Sequence, residues 1–156
     1  MLTLVGALVL SGSSSQAMAQ QMAQVHRDMV AGRIHVTKVD SIESAGRALT
    51  ASDPSSPALP GAPEAHVMAC CMKDVSDKRV AHVLLSTEGA TITMSVASAK
   101  DMKPMGKVLK QNGVSYYAVS HESLNMISCE KSGRWVCLIS ELPTDKLTAI
   151  AEKLQF

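Results

Sequence analysis

The sequence predicts an α+β domain: an antiparallel sheet of five or six strands with helices packed on one face. Short apolar or alternating runs, such as Thr91 to Val96, follow one another through the second half of the chain and are separated by turn sequences. Near the N-terminus, apolar residues instead recur at helical spacings of three and four. A third observation is the amphipathic stripe from Leu147 to Leu154, which predicts a closing helix.

Composition indicates a globular chain with one core. The 156 residues are 46% hydrophobic but only 3% aromatic, so aliphatic side chains and methionine must fill the interior. The formal net charge is +1 and 19% of the residues are charged, which gives no field strong enough to gather a nucleic acid. Nucleic-acid binding is therefore not expected.

Residues 1–19 differ in composition from the rest. Leu2 to Leu10 is an uncharged apolar run, and Ala17 to Ala19 has the A-x-A form of a signal peptidase site. The run has about half of the roughly 20 residues that a membrane-spanning helix requires, and no lysine or arginine precedes it. Two interpretations stay open: an atypical signal peptide, or a truncated membrane helix. Both interpretations predict that the protein is exported and is periplasmic or extracytoplasmic. Both also allow residues 1–19 to attach the protein to a membrane.

Residues 20–52 are expected to form an N-terminal helical segment. A helical stripe that begins within residues 1–19 predicts a first helix over 16–30, which Gly32 can end. The stripe consists of Met18, Met22, Val25 and Met29. Ser41 is a suitable N-cap for a second, short helix. Residues 53–63 contain four of the six prolines, which predicts an irregular loop.

Residues 64–156 are interpreted as the α+β sensor or interaction domain. The expected strands cover residues 66–72, 80–85, 91–96, 114–119, 124–129 and 134–139. Residues 98–110 are predicted to be helical despite Pro104, with Met102, Met105, Val108 and Leu109 facing inward. Thr144 is the expected N-cap of the closing helix.

The four cysteines leave three interpretations open. Cys129 and Cys137 lie eight residues apart on a predicted hairpin, and an odd loop would place them on the same face for a disulfide. Cys70, Cys71, His66 and Met72 form a second candidate set, a metal site of soft ligands that suit copper or zinc. Adjacent residues of a strand point to opposite faces, however, so Cys70 and Cys71 can share a site only at a bulge or turn. The third interpretation is buried free thiols, with no cofactor.

The sequence contains no recognisable catalytic set, so an enzyme is not expected. Ser120, His121 and Glu122 carry the groups of a nucleophilic triad, but consecutive residues cannot converge as a triad requires. The nine glycines are scattered singly and form no phosphate-binding loop.

The order of several short motifs resembles the extracytoplasmic part of transmembrane anti-sigma factors. The motifs are Val25 to Arg27, Val39 to Ser41, Leu59-Pro60, Lys78 to Leu84, Gly89, Thr91 to Val96, and Trp135 to Pro143 followed by Leu147 and Ile150-Ala151. They span residues 25 to 154. The resemblance implies a regulatory domain with a protein partner, which senses or docks outside the membrane while a cytoplasmic domain holds an extracytoplasmic-function sigma factor. The H-x-x-x-C-x-x-C zinc segment of that cytoplasmic domain does not occur in this sequence, so no residue here is assigned to sigma-factor binding.

Overall fold

The computed structural model describes the backbone of residues 2–87 and 89–156, and the surroundings of the side chains from Ser15 onward. The helices are α1 (Leu2–Ala31), α2 (Ile42–Ser52) and α3 (Thr144–Glu152), with a 3-10 turn at Ala99–Asp101. The strands are β1 (Thr37–Lys38), β2 (His66–Met72), β3 (Ala81–Thr87), β4 (Ala90–Ser98), β5 (Lys107–Gln111), β6 (Val114–His121), β7 (Leu124–Lys131) and β8 (Arg134–Ser140). Among the described residues, none of the helices combines the length and hydropathy needed to cross a membrane.

All eight strands form one antiparallel sheet in the order β1-β2-β3-β4-β8-β7-β6-β5. The predicted α+β class and antiparallel sheet are confirmed, but the count of five or six strands is wrong. The two additional strands lie at the sheet edges: β1 has only two residues, and β5 occupies the region that was expected to be helical.

The expectation of helices on one face is also wrong, because α1 packs on one face of the sheet and α2 and α3 pack on the other. We call these the α1 face and the α2/α3 face. Sheet residues buried on the α1 face are Ala69, Leu84, Ala97, Leu124, Met126, Trp135, Cys137 and Ile139. On the α2/α3 face they include Cys70, Val83, Leu85, Ile92, Met94, Ile127, Cys129 and Leu138. The core is therefore two layers separated by the sheet.

Helix α1 is one continuous helix whose second half belongs to the core. Met22 is fully buried, and Met18, Ala19, Val25 and Met29 are buried with it on the predicted stripe. Gly32, at φ +69°, follows the last helical residue, as the sequence predicts. The proposed peptidase site at 17–19 therefore lies inside a helix, with Met18 and Ala19 packed in the core. The apolar run Leu2 to Leu10 lies earlier in the same helix, where side-chain surroundings are not described, and Met1 lies outside the described residues.

The region 98–110 differs from its predicted helix for local reasons. After the 3-10 turn the chain passes Pro104, which removes a backbone donor, and Gly106, which has φ +93°. A Cβ at Gly106 would collide with the carbonyl oxygen of Ala118 on β6. This close approach brings residues 107–111 alongside β6, where they form the last strand of the sheet.

The predicted N-cap is confirmed for α2 and wrong for α3. Ser41 caps α2 as predicted, since its hydroxyl accepts a hydrogen bond from Ser44 N at 3.0 Å. The N-cap position of α3 is held by Pro143, which makes no side-chain cap, and Thr144 is the first helical residue.

Candidate functional site: a polar row beneath helix α1

A row of polar and thiol side chains crosses the sheet beneath α1. Strand register aligns it as Cys71, His82, Ser95, Cys137, Ser128 and Tyr117, each directly opposite the next. Each of these side chains lies on the α1 face, because side chains alternate along a strand and their neighbours at even spacing pack there. We call this set the polar row.

His82 occupies a fully buried position in the polar row. Its Nε2 lies 3.1 Å from the carbonyl oxygen of Lys73, and its Nδ1 lies 2.7 Å from Ser95 Oγ. A carbonyl can only accept, so Nε2 carries the hydrogen, and in the neutral ring Nδ1 accepts from the Ser95 hydroxyl. Burial lowers the pKa of His82 to about 4, so the neutral ring is the form that fits this site.

His26 reaches the same layer from α1. Its Nδ1 lies 2.8 Å from Thr93 Oγ1 on β4, two residues before Ser95, and both side chains are buried. Burial, together with the smaller effect of the neighbouring positive charge of Arg27, lowers the pKa of His26 to about 4. Two histidines, one from a helix and one from a strand, thus satisfy two buried hydroxyls of β4.

Two further contacts fix α1 along its length. Gln21 Oε1 accepts a hydrogen bond from Ser76 N at 2.8 Å, in the turn between β2 and β3. Arg27 pairs with Glu122 at 2.8 Å, in the turn between β6 and β7. With the His26 bond to β4, α1 is attached to the sheet at its centre and on both sides.

The sequence did not single out His26, His82, Thr93 or Ser95 as functional, although two signals were present. His26 lies within the apolar stripe of its helix, and His82 lies within the apolar run of its strand. A polar ring at such a position must find a buried partner. The alternation of Thr93 and Ser95 with apolar residues is typical of a half-buried strand, whereas in the structure both of these polar side chains are buried.

Cys70, Cys71 and Met72 of the predicted metal site line one cavity of about 140 Å³ together with His35, but their side chains do not group as metal ligands. Cys70 and Met72 pack on the α2/α3 face, Cys71 belongs to the α1 face, and His66 is exposed at the start of β2. The bulge in β2 lies between Val67 and Ala69, so it does not bring Cys70 and Cys71 to one side. Among the described residues, no three or more His, Cys, Asp or Glu side chains are grouped to hold a metal ion.

Of the three interpretations left open for the cysteines, the structure shows free thiols at all four positions and no bond between Cys129 and Cys137. The odd loop that would place these two residues on one face is not present, because the loop between β7 and β8 has two residues and pairs Cys129 with Val136. Cys129 therefore points to the α2/α3 face while Cys137 points to the α1 face. Burial raises the pKa of each thiol, that of Cys71 to about 11.

Ser120, His121 and Glu122 are also directed to separate partners. Ser120 Oγ donates to Asn125 Oδ1 at 2.7 Å, and Glu122 is paired with Arg27. His121 Nε2 lies 3.7 Å from Glu122 Oε1, a distance at which the two groups form an ion pair only when the histidine is protonated. Ser120 and His121 are thus the last residues of β6, and Glu122 lies in the surface turn that follows.

A pocket of about 320 Å³ lies on the other side of the molecule, between α3 and the chain that leads into β2. We call it the α3 pocket. Its apolar lining includes Pro63, Ala65, Ile150 and Leu154, and its polar lining is Glu64, Thr87, Lys146 and Lys153. Lys153 pairs with Glu64 at 2.8 Å. An apolar lining with a few charged groups is typical of small-molecule sites.

Comparison with known proteins does not assign the chain to a family. The chain matches none of the protein-family models, and no match was found among the curated proteins or among the solved structures.

Proposed function

We propose that this chain is a non-enzymatic extracytoplasmic sensor or interaction domain, similar in role to the outer domain of a transmembrane anti-sigma factor. The proposal rests on the motif order of the sequence and on one structural observation. That observation concerns α1. The second half of this helix packs in the core against the sheet, and the first half extends the same helix toward the N-terminus.

This arrangement supports a regulatory role because it couples two parts of the chain. A change in the sheet or in its partner alters the packing beneath Met22 and His26, and therefore the position of α1. In the family that the sequence resembles, the chain before the outer domain leads through the membrane to the sigma-binding domain. The apolar run Leu2 to Leu10 at the start of α1 is consistent with that direction.

The sensing half of the proposal is supported by the α3 pocket. Its apolar wall and Lys146 at its rim suit a small apolar molecule that carries an acidic group, whereas Lys153 is paired with Glu64. Helix α3 packs on β7 and β8, and β8 also contacts α1, so β8 connects the helix that lines the pocket to α1.

The proposal can be tested in the native organism with the complete coding region. We expect an in-frame upstream segment with a zinc-binding H-x-x-x-C-x-x-C motif, and a sigma-factor gene beside it. Met22→Ala, which opens a cavity beneath α1, should change transcription from that sigma factor's promoter at an unchanged protein level.

Gln20→Ala is the matched control, because Gln20 lies on the exposed side of the same helix. Equal transcription in both variants and the parent, or a translation start at Met1 with no sigma-factor gene nearby, would refute the regulatory role.

A further inference from the structure

Strand β5 is an open edge of the sheet. It is the terminal strand, pairs only with β6, and all five of its residues are exposed. In an antiparallel pair, alternate residues direct their N–H and C=O groups away from the partner strand, so β5 presents unpaired main-chain groups to solvent. The other edge, β1, has only two residues.

The side chains of β5 make this edge unusual. Val108 is 54% exposed and Leu109 is 40% exposed, and they are two of the four large hydrophobic residues exposed in the described part of the chain. Val108 lies opposite Tyr117 on one face, and Leu109 lies opposite Tyr116 on the other. Each side of the edge therefore offers apolar surface beside an aromatic residue.

The charge of the edge is positive. Residues 102–111 contain Lys103, Lys107 and Lys110 and no carboxylate. Two carboxylates flank this segment: Asp101 precedes it, and Glu152 on α3 accepts a hydrogen bond from Asn112 at 3.1 Å just beyond the strand. Because Lys107 and Lys110 are three residues apart, each face of β5 carries one lysine and one apolar residue.

This pattern disfavours a second copy of the chain as the occupant. Two β5 strands paired antiparallel about Leu109 would bring four lysines into two adjacent strands, with no acidic side chain between them. In this register no carboxylate lies opposite either lysine, and Lys110 lies diagonally across from its own copy, within reach of its like charge. Lysines on an edge strand act against such self-association.

We propose that β5 binds an extended acidic segment of a partner protein, which adds a ninth strand to the sheet. Residues 107–110 have the order lysine, apolar, apolar, lysine. A partner segment with the order acidic, apolar, apolar, acidic would place a carboxylate opposite each lysine and an apolar side chain opposite Val108 and Leu109. Main-chain hydrogen bonds supply affinity, and the two carboxylates fix the register against Lys107 and Lys110. This inference deepens the interaction role proposed above and rests on it.

The test uses the full chain labelled with ¹⁵N and the capped peptide Thr-Glu-Val-Ile-Glu-Thr as the probe. We expect amide shift changes concentrated at residues 107–111 and their β6 partners. The double variant K107E/K110E should bind this peptide about tenfold more weakly or worse, and should prefer Thr-Lys-Val-Ile-Lys-Thr. Lys38→Glu, on the β1 edge, is the matched control and should bind like the parent.

A peptide N-methylated at alternate residues, added to the parent protein, separates strand addition from simple charge attraction. Loss of binding supports strand addition, whereas unchanged binding overturns it. Absence of shifts at β5 with millimolar peptide, or dimerisation through β5 in sedimentation, also overturns the proposal. Failure here with an intact transcriptional response to Met22→Ala removes the edge site alone, and the reverse result removes only the sigma-factor role.

Discussion

His26 on α1 and Thr93 on β4 are joined by a buried hydrogen bond of 2.8 Å between Nδ1 and Oγ1. The bond connects a helix to the middle of the sheet across 67 residues of sequence. It also explains how the Thr93 hydroxyl can be buried beneath α1. Removing one partner leaves the other without a hydrogen bond in the interior.

Thr93→Val tests this bond because it removes the hydroxyl with little change in shape. We expect the free energy of unfolding to fall by about 1–3 kcal/mol, since the His26 ring loses its buried partner. Urea titration followed by circular dichroism gives the value. Thr91→Val, at a half-buried position on the same side of β4, is the control and should change stability by less than about 0.5 kcal/mol. Equal losses in the two variants would show that the bond is not specifically stabilising.

The two buried histidines predict that stability depends on pH. In the folded protein their pKa values are lowered to about 4, against about 6.5 for an exposed histidine. Between these values the unfolded chain binds more protons than the folded one, so stability is full above pH 6.5 and falls as the pH drops toward 4. The loss is of the order of 3 kcal/mol for each histidine.

Urea unfolding at pH 7.0, 6.0, 5.0 and 4.5 measures this dependence. In the variant His26→Gln, the free energy of unfolding should fall less between pH 6.5 and 4, because only one of the two buried histidines still contributes to the pH dependence. His66→Gln, at an exposed position, should follow the parent. A parent curve without slope between pH 6.5 and 4 would contradict the burial of neutral rings.

Much of the fold could be predicted from residue periodicity, and the failures have specific causes. Gly32 and Ser41 marked helix ends correctly, because cap preferences are local. Strand β5 was missed because the apolar spacing from Met102 to Leu109 also fits a helix, and only the approach of Gly106 to β6 decides between them. Helix α1 was expected, but no local pattern indicates which face it covers or that Thr93 and Ser95 lie beneath it. The candidate site depends on pairing across strands, so it could not be read from spacing alone.

Gly106 is predicted to control whether β5 joins the sheet. Gly106→Ala introduces a Cβ that meets the Ala118 carbonyl at φ +93°, so residues 107–111 should separate from β6. Trypsin should then cleave faster after Lys107 and Lys110. Gly113→Ala is the matched control, because Gly113 also has positive φ, +76°, but open space around it. We expect the control to lose about 1–2 kcal/mol without faster cleavage at these lysines, and equal cleavage would contradict the role of Gly106.

The placement of the thiols predicts that no disulfide forms even in an oxidising compartment. Cys129 and Cys137 lie on opposite faces of the sheet, and burial raises the pKa of both thiols, which keeps them protonated. Alkylation in denaturant without reductant should therefore add four groups, measured by mass spectrometry. Native alkylation should be slow at all four sites. Addition of only two groups, with Cys129 and Cys137 in one linked peptide, would contradict the strand register.

The α3 pocket should bind a small amphipathic acid, and decanoate is a suitable probe. The apolar chain would lie against Ile150 and Leu154, with the carboxylate beside Lys146 at the rim. Ala149→Trp, at an exposed position in the lining, should fill the pocket and abolish the rise in melting temperature that decanoate gives the parent.

Charge reversal separates the two parts of this interaction. Lys146→Glu should weaken decanoate binding while leaving binding of decanol almost unchanged, because only the acid meets the rim charge. Lys103→Glu, outside the pocket lining, is the matched control. If decanoate binds the parent, Ala149→Trp and Lys146→Glu with equal affinity, the ligand lies elsewhere and the pocket has no sensing role. If the acid and the alcohol bind equally well to the parent, Lys146 does not select the ligand and the site is only an apolar groove.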